Sequence, residues 1–276
     1  MFVVFSIIPT HCGAEPLILL FLCQIHVLRY FIRLAYKGTE YHGWQIQPNV
    51  ISVQQLINEG LSVLLKDQIS VLGAGRTDTG VHARQMYAHF DSDKEFDCKE
   101  ITYRLNAYLP DAIVIKSIFP VNSEAHARFD ATSRAYEYWL VQEKNPFLQD
   151  AAWLVYGQLN FDLMNEASAF LLEVKDFTSF AKVHSDVKTH ICDVRKAQWE
   201  CKDGLWVFTI EADRFLRNMV RAIVGTLVEV GRGKISVSEF KEVVGKLDRG
   251  AAGASAPANG LYLVKVDYPQ EILNGI

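Results

Sequence analysis

The chain has 276 residues, half of them hydrophobic and 12% aromatic, with 28 Lys+Arg against 32 Asp+Glu and a net charge of −4. At roughly 100–200 residues per domain this allows one large domain or two smaller ones. It excludes a disordered chain, which needs low hydrophobicity and high net charge, and a protein that holds nucleic acid by bulk positive charge. A local basic groove is still open, because binding depends on where the charges lie. The five cysteines are odd in number and lack CxxC spacing, which argues against a disulfide framework or a zinc knuckle and fits a reducing cytosol.

Residues 1–28 differ from the rest. They hold one acid, Glu15, and no Lys or Arg, and the longest apolar run is Leu17–Cys23. A spanning helix needs about 20 predominantly apolar residues, and a secretory signal needs a basic start. The segment therefore reads as a poorly ordered extension or as translation from upstream of the true start.

From Arg29 the pattern becomes regular. Arg29–Tyr36 alternates as a strand. Ser52-Val-Gln-Gln55 is a capping box for a helix that continues through Val53, Ile57, Leu61 and Leu65. Ser70–Ala74 and Gln85–Asp91 are short β-type runs flanking the loop Gly75-Arg-Thr-Asp-Thr-Gly-Val-His-Ala83. A helix is expected over Cys98–Leu109 and a strand over Asp111–Pro120. The same order then repeats: a strand over Ala131–Val141, a helix over Asp162–Leu172 with Asp162 as N-cap, and a hairpin of Thr189–Glu200 and Leu205–Ala212. A helix over Phe215–Val230, a short helix over Ser238–Gly245 and a strand over Leu261–Tyr268 complete it. Two β-α-β-β-α-β units point to an α+β protein: two ferredoxin-like halves, 29–125 and 126–276, joined in one mainly antiparallel sheet with a cleft between them.

Metal chemistry is poorly supported. His184, His190 and Cys192 are close in sequence but lack HExxH, CxxC or a carboxylate-rich loop, and a packed His–Cys pair reads better. GxGxxG fails at its third Gly, the P-loop fails at both ends, and no serine elbow is present. The loop at 75–83 stands out instead. Asp78 alone is an ordinary turn residue, but Arg76, His82 and Arg84 crowd it with cations. Arg134, Tyr136 and Tyr138 alternate to one face of a strand, an arrangement that suits base stacking beside a phosphate, or equally plain aromatic packing. Arg214, Arg217 and Arg221 form an i, i+3, i+7 stripe on the expected helix, suited to a polyanion or to solvent. His42-Gly-Trp44 adds a loop aromatic that burial explains as well.

Seven stretches in order resemble the tRNA pseudouridine synthase A family: 36–45, 75–83, Asn106–Pro110, 126–134, Asp176–Phe180, 215–225 and Ala256–Leu261. They span Arg29 to Pro269 and leave out the first 28 residues. The resemblance implies conversion of uridine to pseudouridine at positions 38, 39 and 40 of the tRNA anticodon stem-loop, by a cytoplasmic homodimer that needs no cofactor or metal. It places the nucleophile on Asp78, the stacking ring on Tyr136, the partner of the carboxylate on Arg221, and a residue that holds the flipped nucleotide on Arg76. A carboxylate is ionised at neutral pH and needs no activating base. A groove of Arg76, Arg84, Arg134, Arg214, Arg217 and Arg221 would bind the RNA, with Arg217 on a phosphate. The rival reading is a non-catalytic RNA-binding module of the same fold, with Asp78 a turn residue.

Overall fold

A computed structural model describes residues 27–183 and 187–273. Nearly all of the N-terminal extension, and His184, fall outside these residues. The described chain builds nine strands into one sheet, in the order β4-β1-β3-β9-β5-β8-β7, with β2 paired to β3 and β6 to β5.

In the N-terminal half, β1 (Leu28–Tyr36) lies between β3 (His82–Ser92) and β4 (Ile113–Val121), antiparallel to both. The alternation in β1 matches its position, since Ile32 and Leu34 are fully buried while Arg33 is exposed. The expected strand at 70–74 shrinks to β2 (Leu72–Gly73). Helix α1 (Val53–Leu65) starts where the Ser52 hydroxyl accepts from the Gln55 N–H at 3.3 Å. Only half of the capping box forms, because the Gln55 amide turns to Glu59 instead. Helix α2 (Cys98–Tyr108) is capped by Asp97, which accepts from the N–H groups of Lys99 and Glu100.

In the C-terminal half, β5 (Ser133–Val141) lies between β8 (Leu205–Ala212) and β9 (Leu261–Asp267), and β7 (Val194–Lys202) forms the outer edge. The short strand β6 (Trp153–Leu154) adds to one end of β5. Helix α3 (Phe161–Phe170) is capped by Asn160, not Asp162, since Asn160 accepts from the Leu163 N–H. Helix α5 (Val237–Gly245) has a complete capping box between Ser236 and Glu239. Helix α4 (Met219–Gly231) starts four residues later than its apolar spacing suggests. Asn218 adopts φ +66, a left-handed conformation that no α-helix can run through, so Arg214 and Arg217 lie in the β8–α4 connection. The basic stripe on one helix face does not exist. A short helix α6 (Gln270–Leu273) ends the described chain.

Each half has its own apolar core. Val53, Ile57 and Leu61 of α1 and Ile101 and Leu105 of α2 pack with β1, β3 and β4. Phe161 and Met164 of α3, Ile223 and Leu227 of α4 and Phe240 of α5 pack with β5, β7 and β8. The cores exchange residues. Val81, from the 75–83 loop, is buried in the C-terminal core, whereas Leu263, Val266 and Tyr268 are buried in the N-terminal one. Strand β9 is the physical seam, antiparallel to β5 and parallel to β3 through His82–Tyr262 and Ala83–Leu263.

Helix α4 also has to lie close to the backbone of residues 253–256. A Cβ at Gly225 would stand 1.8 Å from the carbonyl oxygen of Ala254. Gly225→Ala should therefore lower stability by roughly 2–3 kcal/mol, the cost of overpacking, and lower the melting temperature by about 5–10 °C. Gly245→Ala meets no atom within 4 Å and should be neutral or stabilising by up to about 1 kcal/mol. Thermal melts of the two variants check this.

Candidate active site

The loop carrying Asp78 is fixed by contacts to both halves. Its Thr77 hydroxyl is 2.8 Å from the buried Tyr36 hydroxyl, and the Thr77 carbonyl accepts from the Trp44 N–H at 3.2 Å. Trp44 is buried against Tyr36 and Gly73, so this loop aromatic belongs to the core. Gly43 takes φ +84, and a Cβ there would stand 2.3 Å from the Thr77 carbonyl oxygen. Only glycine lets the two backbones approach this closely. At the far end of the loop, His82 is buried. The Gly38 N–H donates to its Nδ1 at 3.0 Å, and its Nε2 is 3.1 Å from the Asn259 carbonyl oxygen. Burial holds the imidazole below its ordinary pKa, so it is neutral, accepting at Nδ1 and donating at Nε2. His82 therefore ties the loop to both halves.

Between these anchors Asp78 keeps about a quarter of its side chain exposed. Two arginines from the C-terminal half face it: Arg217 Nε lies 3.4 Å from Oδ1, and Arg221 Nη1 lies 3.8 Å from Oδ2. Arg221 is in the first turn of α4, where the helix dipole favours an anion and disfavours a lone cation. The Asp78 carboxylate gains from the first effect and offsets the second. Arg221 is also anchored from behind, with Nε donating to the Ala256 carbonyl at 2.7 Å and its own carbonyl accepting from the Ala256 N–H at 2.9 Å. The Arg217 side chain is 59% exposed and, among the described residues, hydrogen-bonds only to Asp78, while its carbonyl accepts from the Lys182 N–H at 3.0 Å. The structure thus adds Arg217 to the carboxylate's surroundings, where the sequence suggested a phosphate contact alone.

Tyr136 packs against both cores, edge-on to Phe215 at 5.0 Å between ring centres. Burial pushes its phenol up to about 12; the nearby Arg134 opposes this and the Asp78 charge adds to it. The ring is thus neutral and close enough to feel the carboxylate. Arg76 is exposed and without a hydrogen-bond or ion-pair partner among the described residues. The fold therefore gathers Asp78, Tyr136 and Arg221 into one site, with Arg76 on the same loop. Sequence reasoning missed the Tyr36–Thr77 hydroxyl pair, the Ala256 carbonyl and Phe215. Three of these residues, Tyr36, Phe215 and Ala256, begin stretches already singled out by their order.

Arg134 departs from the expected groove. Its Nη1 donates to the carbonyls of Ala131 (3.0 Å) and Asp213 (2.9 Å), and its Nη2 to those of Ala74 (3.2 Å) and Arg128 (2.6 Å). All four of its terminal N–H groups are thereby used inside the protein. Arg84 lies 5.9 Å from the centre of the Trp139 ring.

A depression of about 740 Å³ lined by Glu40, His42, Gln47 and Ile51 lies beside the 38–51 segment. Its lining has no Lys or Arg and none of Asp78, Tyr136, Arg217 and Arg221, so the convergence of opposite charges at Asp78 marks the better site. Among the described residues no group of three or more His, Cys, Asp or Glu side chains is placed to hold a metal ion.

The sequence was also compared with known proteins. A sequence model for the tRNA pseudouridine synthase family matches residues 33–130 and 172–269. The tRNA pseudouridine synthase A of Bacteroides thetaiotaomicron is 53% identical over 249 residues, 89% of this chain and 93% of that protein. That of Bacteroides fragilis is 53% identical over 248 residues, covering 89% and 98%. That of Acetivibrio thermocellus is 39% identical over 237 residues, covering 85% and 97%.

Arg134→Lys should separate holding a charge from holding four carbonyls. An ammonium has three donors and no planar fork. The variant should lose roughly 2–4 kcal/mol of stability through carbonyls left buried and unpaired. Denaturant unfolding checks this, and stability equal to wild type would show that the four contacts carry little.

Proposed function

The chain belongs to the tRNA pseudouridine synthase A family and is a tRNA pseudouridine synthase, an isomerase; from this we propose the substrate position and the residue roles that follow. The substrate is tRNA. The modified uridines are those at positions 38, 39 and 40 of the anticodon stem-loop, as the family resemblance implies. Asp78 is the nucleophile, Tyr136 the ring against which the extruded base rests, Arg221 the residue that orients the carboxylate, and Arg76 the one that holds the flipped nucleotide. The halves 29–125 and 126–276 are each ferredoxin-like, the active site lies in the cleft between them, and the working form is a cytoplasmic homodimer that needs no cofactor.

The observation that carries the assignment is Asp78 itself. It is a partly open carboxylate, 3.4 and 3.8 Å from two guanidinium groups that cannot deprotonate. A turn aspartate serving only the fold has no need of two arginines from the other half of the molecule.

In the reaction the C1′–N1 bond breaks and a C1′–C5 bond forms. N1 gains a proton and C5 loses one. Attack at C1′, addition at C6 and removal of the 2′ proton all start from an ionised carboxylate, and all three are open to Asp78. Long, imperfect contacts in the free protein are usual for groups that tighten on substrate. A uridine inside a stem must leave its stack at a cost of a few kcal/mol, and the neutral Tyr136 ring supplies a surface for it.

Asp78→Asn should abolish pseudouridine formation, by at least ~10³-fold, while tRNA binding persists. Pseudouridine mapping and a binding titration on one preparation check this, and full activity would remove Asp78 from its role. Arg221→Lys keeps the charge but loses the fork fixed by Ala256, so its deficit should appear in single-turnover rates. Arg217→Ala should instead weaken binding and lower the slope of log K against log[salt] by about one unit.

A further inference from the structure

Residues 126–130, in the connection between the halves, form a turn in which every main-chain N–H from His126 to Asp130 is used. His126 donates to Asp130 Oδ2 at 2.7 Å, and Asp130 donates to the His126 carbonyl at 3.1 Å. Ala127 donates to Nδ1 of the buried His89 at 3.2 Å. Arg128 and Phe129 both donate to Nδ1 of His126, at 3.1 and 3.2 Å. The carbonyls of Ala127 and Arg128 accept from the Tyr268 hydroxyl and from Arg134. Burial keeps both imidazoles below their ordinary pKa, so both are neutral and able to accept.

This rigid turn presents an apolar ring to solvent. Phe129 is 73% exposed. Its ring rests on His126 at 4.2 Å between centres, and the Arg128 guanidinium lies 5.6 Å from its centre. The turn also borders the catalytic loop: one nitrogen, Nη2 of Arg134, holds both the Arg128 carbonyl and that of Ala74, two residues before Arg76. An aromatic ring with fixed backbone, an adjacent guanidinium and an open face matches the recognition of unpaired bases, where stacking is combined with a phosphate contact.

We propose that Phe129 is a second stacking platform, distinct from Tyr136, that holds an exposed base of the RNA next to the reacting uridine, with Arg128 on the flanking phosphate. The proposal rests on the tRNA-modifying reading above. Because the side chain is exposed and its backbone is tied by neighbours, replacing the ring should leave the fold unchanged.

The test uses Phe129→Leu and Phe129→Trp in the full chain, with tRNA substrate, reading melting temperature, tRNA Kd and single-turnover pseudouridine formation. Loss of one stacked base should raise Kd by about 5- to 100-fold in the Leu variant, with the melting temperature unchanged, and Trp should restore it. Leu binding as well as wild type, or Trp no better than Leu, would overturn the platform. So would a Leu variant whose only change is in oligomeric state by sedimentation. Wild-type protein that forms no pseudouridine in the same assay would instead overturn the functional reading, so the two failures are distinguishable.

Discussion

The guanidinium of Arg134 is the contact on which the site's geometry rests. Four main-chain carbonyls converge on its four terminal N–H groups. They come from the start of the Asp78 loop, the turn at 128–131, and the end of β8 that leads to Arg217 and α4. A partly buried cation is costly unless its donors are satisfied, and here all four terminal N–H groups are. Burial lowers its pKa, but the ordinary value of a guanidinium is so high that the group stays charged. Charge-assisted bonds are about twice as strong as neutral ones. Three connections are thereby held at fixed separations from one planar group.

With that frame set, the electrostatics at Asp78 follow from topology. The carboxylate is delivered by the N-terminal half and its two arginines by the C-terminal half. Neither half alone could hold the arrangement, since a lone Asp loop or a lone Arg221 at a helix start is unfavourable. The two arginines differ in how they are held. Arg221 is fixed through Ala256, whereas the more exposed Arg217 meets the carboxylate at 3.4 Å through Nε alone.

Much of this was legible in the residues. Alternating runs gave β1 and β5, the capping box at Ser52 gave α1, one-sided apolar positions ahead of Pro110 gave α2, and cation density picked out Asp78. The failures have physical causes. The spacing of Leu216, Met219, Val220 and Ile223 imitates a helix, but the left-handed Asn218 starts α4 at Met219, and no local pattern announces that conformation. Asn160 and Asp162 are both good caps, and only the geometry of α3 chooses between them. Arg134 reads as an RNA contact because an arginine beside tyrosines on a strand looks exposed. That it meets four carbonyls depends on segments 60 and 79 residues distant in sequence, beyond the reach of any periodicity. The roles of Ala256, a backbone oxygen, and of Thr77 are invisible for the same reason.

Strand β9 completes two structures at once. It fills the C-terminal sheet beside β5, seats Leu263 and Val266 in the N-terminal core, and adds to β3 where the Asp78 loop ends. During synthesis the N-terminal half therefore emerges from the ribosome with part of its core uncovered and the end of its Asp78 loop unpaired. Contacts so distant in sequence form slowly, and incompletely covered intermediates are prone to association. A truncated or stalled chain that lacks residues 261–267 thus carries every proposed catalytic side chain and yet not the strand that joins the end of the Asp78 loop to the C-terminal half.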